Sequence, residues 1–127
     1  MKMDKPTLIF FKEINCAYCD AFLNNEWQKI TSDDFLNSFL NFKVYVFADN
    51  PELNMPLHEK YSFVNMVPYF ALTYNDITIN LGACEKSRKP KNVSKHIIMS
   101  GLIPLFQHIK QNELAEKLYY VCKNRYK

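Results

Sequence analysis

The chain has 127 residues, 48% hydrophobic and 23% charged, the composition of one globular domain rather than a disordered segment. Sixteen Lys and Arg against thirteen Asp and Glu leave a net charge of +3, short of the excess that marks a nucleic-acid-binding domain. The two glycines, Gly82 and Gly101, are too few for a Gly-rich phosphate loop, and four cysteines are too sparse for a disulfide-stapled miniprotein.

The first apolar run, residues 8–11, is ended at once by Lys12 and Glu13, and is too short for a secretory signal. The longest uncharged apolar stretch, residues 97–106, is interrupted by Pro104 and falls below the roughly 18 residues of a membrane span. The expectation is a cytoplasmic, reducing setting without a membrane partner. There, paired cysteines are more often catalytic or metal-binding than structural.

Residues 7–11 are β-branched and aromatic and predict a buried strand. Residues 16–30 take a helical period, with Cys19, Leu23, Trp27 and Ile30 on one face. Ser32, Asp33 and Asp34 offer caps for a short helical turn carrying Phe35, Leu36, Phe39 and Leu40. Beyond its first residue, Lys43, the segment 43–48 is apolar on both faces, as in a parallel strand covered on both sides. Residues 54–61 suit a short helix. Residues 69–74 and 77–81 predict a hairpin turned at Asn75-Asp76 and closed by Gly82. After a basic linker, Ser94 is a candidate cap for a helix ending at Gly101, and Pro104 suits the first turn of another. Leu114, Leu118 and Val121 extend an apolar face towards the end. The order β-α-β-α-β-β-α predicts an α/β fold: a mixed sheet of four strands, helices on both faces, and a C-terminal helical extension.

Cys16-Ala17-Tyr18-Cys19 is a C-x-x-C. Four cysteines placed at random give this spacing in about one chain in ten, so its setting carries more weight than its spacing. It falls where a buried strand passes into a helix. Unpaired N–H groups and the positive helix end there favour a thiolate at Cys16, the candidate nucleophile. Cys19 lies on the inward stripe and is the candidate resolving thiol. Zinc would need two further ligands, and Cys84 and Cys122 lack ligand spacing of their own. His58, His96 and His108 flank no nucleophile. The run Lys86, Arg88, Lys89, Lys91 and Lys95 reads as a solvated loop.

These residues resemble the thioredoxin-like superfamily, thioredoxins and glutaredoxins together. Cys-Ala-Tyr-Cys is nearer to the glutaredoxin Cys-Pro-Tyr-Cys than to the thioredoxin Cys-Gly-Pro-Cys. Met66-Val67-Pro68 resembles the family's cis-proline loop, and Leu81-Gly82-Ala83 the Val-Gly-Ala after the last thioredoxin strand. The resemblance implies a thioredoxin-like domain over residues 1–111, with residues 112–127 packed on it as an extension. It implies a thiol–disulfide oxidoreductase without a cofactor or metal. Cys16 and Cys19 would be catalytic. Ala17, Tyr18, Val67 and Pro68 would bind protein disulfide substrates, and glutathione or a thioredoxin reductase would be the electron donor. Three residues depart from the family: Phe10 stands where thioredoxins carry a buried acid, Glu13 where glutaredoxins often have lysine, and Asp20 where a basic residue is usual. A non-catalytic interaction module of the same fold is the alternative reading.

Overall fold

The computed structural model describes residues 5–47, 64, 67–83 and 90–126. Backbone contacts divide the chain into two compact units, Met1–Cys84 and Glu85–Lys127. The expected helix at 54–61, His58, Cys84, and Lys86, Arg88 and Lys89 of the basic run lie outside the described residues.

The first unit holds a mixed four-stranded sheet in the order β2-β1-β3-β4. β1 (Thr7–Glu13) runs parallel to β2 (Asn41–Phe47) and antiparallel to β3 (Tyr69–Tyr74). β3 turns at Asn75 into β4 (Ile77–Ala83), as the Asn-Asp signal predicts. Asn75 takes φ +52°, which asparagine tolerates better than most residues. Gly82 lies inside β4 rather than after it. It has φ +89° and sits where the β3–β4 register shifts, so a glycine is needed for the backbone conformation.

β1 is paired along both edges, and Leu8, Ile9, Phe10 and Phe11 are all buried. Strand alternation sorts these side chains between two faces. Ile9 and Phe11 join Phe47, Val64, Tyr69 and Ala71 in one cluster. Phe10 faces the other way, its ring 5.3 Å from each of Phe22, Trp27 and Phe70.

Between β1 and β2 the chain forms α1 (Ala17–Asn24), α2 (Glu26–Thr31) and α3 (Asp34–Phe39). The continuous helix expected over 16–30 is interrupted at Asn25 (φ −114°, ψ −78°), whose backbone N–H and side-chain amide both donate to the Ala21 carbonyl, at 3.2 and 2.9 Å. Three of the four expected stripe residues, Cys19, Trp27 and Ile30, are buried; Leu23 is only half-buried, and Phe22 takes its place on the inward face of α1. Asp33 caps α3, accepting from the N–H groups of Phe35 and Leu36 at 2.8 and 3.2 Å. β2 is parallel to β1 as expected, but it is not covered on both sides. Among the described residues it pairs with β1 alone, and Asn41, Lys43 and Val46 are exposed. An apolar run signals a strand but cannot tell an interior position from an edge.

The second unit is helical: α4 (Pro90–Ile97), a π turn (Ile98–Leu102), α5 (Ile103–His108) and α6 (Asn112–Arg125). Two expectations fail here. Ser94 does not cap a helix but is buried inside α4, and Gly101 does not end one but is buried inside the π turn. A left-handed C-cap would need positive φ at Gly101, and Gly82 is the one described glycine that has it. Pro104 does fall in the first turn of α5. On α6 the buried stripe is Ala115, Leu118 and Cys122, with Leu114 and Val121 half-buried at its margin.

Truncating the ring at the centre of the α1 face removes contacts with three aromatic side chains. Phe10→Ala is expected to cost about 3–5 kcal/mol, measured as a lower urea midpoint at unchanged slope.

Candidate functional site

The end of β1 builds the site. After Glu13, the N–H of Ile14 donates to the Phe47 carbonyl at 3.0 Å, tying the chain to the end of β2. Asn15 then takes φ +63°, a left-handed turn that redirects the backbone into α1. Cys16 follows as the N-cap, extended at φ −90° and ψ 99°. Its sulfur accepts the backbone N–H of Cys19 at 3.2 Å. It therefore occupies the position where serine or aspartate caps most helices, among N–H groups that lack helical partners.

Cys16 and Cys19 form a disulfide, with Cα atoms 5.2 Å apart, well within disulfide range. The two sulfurs differ in access. Cys16 is half-buried, whereas Cys19 is 0% exposed and shares the inward face of α1 with Phe22. Ala17 is exposed, Tyr18 half-buried, and Ile14, just before the motif, is 44% exposed.

Val67-Pro68 is a cis peptide bond immediately before β3. Val67 is half-buried and packs against the cluster containing Phe11 and Phe47, and Pro68 is buried. Because β3 runs antiparallel to β1, with Phe11 opposite Tyr69, β3 begins at the end of the sheet where β1 runs out into the motif. The C-x-x-C and the cis-proline thus leave the sheet at the same end.

A Lys12–Asp20 ion pair completes the site. Lys12 is two residues beyond Phe10 and so lies on the α1 face of β1, where its ammonium meets the first-turn carboxylate of Asp20. Asp20 stands out in the sequence as a departure near the motif, yet nothing in a spacing of eight positions marks Lys12 as its partner. An exposed or half-exposed pair of this kind adds at most about 1 kcal/mol to stability, so its interest is local charge. Burial pushes the Tyr69 phenol above its ordinary range.

Cys122 is a free thiol buried in α6. Burial pushes its pKa up, and the Lys95 charge offsets this only in part. Among the described residues, no three His, Cys, Asp or Glu side chains gather as metal ligands would. No helix of the described residues is long and apolar enough to cross a membrane.

The sheet order, the C-x-x-C between β1 and α1 and the cis-proline before β3 together decide the architecture. The fold is thioredoxin-like. No protein-family model and no curated protein matches the chain. Two solved structures are similar to it. One is a malarial protein, 16% identical with a TM-score of 0.48, the match covering 77% of this chain and 99% of that one. The other is a thioredoxin from Thermus thermophilus, 18% identical with a TM-score of 0.49, the match covering 73% of this chain and 71% of that one.

The difference in access between the thiols is directly measurable. In the reduced, folded protein, brief iodoacetamide treatment at neutral pH is expected to label Cys16 well before Cys19 or Cys122, as read by peptide mass mapping. Equal labelling of the three would contradict the geometry.

Proposed function

We propose that the protein is a thiol–disulfide oxidoreductase acting through Cys16 and Cys19 on disulfides of protein substrates. The observation that carries this reading is the disulfide at the start of α1, joining a half-buried N-cap sulfur to a fully buried one. The N-cap setting favours a thiolate at Cys16 once the pair is reduced.

The exchange runs in two displacements. The Cys16 thiolate attacks one sulfur of the substrate disulfide, forming a mixed disulfide and expelling the other sulfur as a thiolate, which takes up a proton. Cys19 then loses its proton and attacks the Cys16 sulfur. The second substrate thiol leaves, and the Cys16–Cys19 disulfide closes. Two donor thiols return the pair to the reduced state by the same chemistry in reverse and leave as a disulfide; two glutathione molecules, or the dithiol of a thioredoxin reductase, are the donors this reading implies. Ala17, Tyr18, Val67 and Pro68 are the residues we assign to substrate contact, because they lie within the motif or leave the sheet at the same end.

One observation favours a second reading. Phe10, ringed by aromatic side chains, puts no carboxyl beneath the motif to take the proton of Cys19. A fold that has lost that function would serve as a non-catalytic interaction module.

Insulin reduction with dithiothreitol as donor separates the two. Cys16→Ser is expected to fall to the uncatalysed rate, and Cys19→Ser to accumulate a mixed disulfide with substrate, visible as added mass. A Cys16→Ser variant as active as wild type would refute the mechanism. Wild-type thiols inert to dithiothreitol and oxidant would favour the module.

A further inference from the structure

The exchange described above leaves the Lys12–Asp20 pair without a role, although it adjoins the reacting sulfurs. Asp20 follows Cys19 directly, and its N–H donates to the Cys16 carbonyl at 2.9 Å, so its carboxylate belongs to the first turn of α1. A carboxylate there draws on the same positive helix end that favours a Cys16 thiolate, and two anions at one end repel. The Lys12 side chain is 13% exposed and meets an Asp20 carboxylate that is 46% exposed. Among the described residues, the elements around the motif hold little other charge. β1 and α1 carry only Lys12, Glu13 and Asp20, with Glu13 exposed; β3 and β4 carry none; β2 carries Lys43 alone, four residues from the end where Ile14 is tied. Tyr69, its phenol pushed up by burial, stays neutral near pH 7.

We propose that the Lys12–Asp20 ion pair sets the redox poise of the Cys16–Cys19 couple, with Lys12 as a positioning residue that neutralises a carboxylate opposing the thiolate. This deepens the thiol–disulfide reading and rests on it. The pair substitutes, in charge balance, for a basic residue after the second cysteine: the base comes from the strand, and the helix supplies the acid it must cancel.

The couple balances as follows. The Cys16–Cys19 disulfide and two glutathione thiols give the Cys16–Cys19 dithiol and one glutathione disulfide, so two electrons and two protons pass to the protein. Where Cys16 ionises, one proton is released to solvent. Charges that favour its thiolate therefore favour the reduced form and make the couple more oxidising.

A charge cycle tests the proposal, using wild type, Asp20→Asn, Lys12→Met, the double variant and the charge-conserving Lys12→Arg. The first readout is the thiolate-to-thiol ratio of Cys16 at neutral pH, from ultraviolet absorbance, taken as the difference from the same protein carrying Cys16→Ser. The second is the equilibrium constant against glutathione. Asp20→Asn is expected to raise the ratio about threefold or more, Lys12→Met to lower it by a similar factor, and the double variant and Lys12→Arg to stay near wild type. The equilibrium constant is expected to move in the same directions. Single variants that shift the ratio the same way, or that leave it unchanged, would overturn the proposal, as would a Lys12→Arg protein that behaves like Lys12→Met. A wild-type couple that glutathione can neither reduce nor reoxidise would overturn the parent reading and this one with it. A reversible wild-type couple with flat variants would overturn the ion-pair proposal alone.

Discussion

Everything at the site depends on β1 being buried on both faces in one register. Its alternation sends Ile9 and Phe11 to one side and Phe10 to the α1 side, with Lys12 continuing that face to the edge of the core. A slip of one residue would exchange the two sets. It would lose the stack of Phe10 with Phe22, Trp27 and Phe70 and would bring Glu13, instead of Lys12, towards Asp20. The apolar residues that fix the register therefore also fix which charge reaches the helix. The left-handed turn at Asn15 then converts the end of a rigid strand into a helix N-cap, and the residue at that cap is a cysteine.

The electrostatics of the motif follow from what β1 places beneath it. The floor under the sulfurs is aromatic at Phe10, Phe22, Trp27 and Phe70, none of them ionisable. Charge reaches them from the helix end, from Asp20 and from Lys12. The contrast with Cys122 is instructive. That thiol lies in the last turns of α6, towards the C-terminal end of the helix, and burial drives it towards the protonated form. Two cysteines of one chain are thus set apart by their surroundings: the N-cap sulfur in a place that welcomes negative charge, the α6 sulfur in one that rejects it.

Much of this was legible before any coordinates. The apolar strand runs, the hairpin at Asn75 and the helical face of Cys19, Trp27 and Ile30 are local patterns with a strong period, and each has its counterpart in the structure. The C-x-x-C is a local motif, and its position between strand and helix could be read from its neighbours. What could not be read is non-local. The edge position of β2 depends on which strand pairs with which. The helix is interrupted for the one residue Asn25, and the chain stays helical through Gly101, a residue usually taken as a stop signal. The Lys12–Asp20 pair is visible only when β1 and α1 are laid against each other, although Asp20 stands out in the sequence as a departure.

The most direct test of the central claim is the reduction potential of the Cys16–Cys19 couple in the wild-type protein, measured by equilibration with dithiothreitol or glutathione mixtures. An exchange-active pair is expected to give one reversible two-electron transition at about −270 to −120 mV, the span of characterised disulfide oxidoreductases. A pair with no reversible transition, or one below about −300 mV as in structural disulfides, would contradict the account.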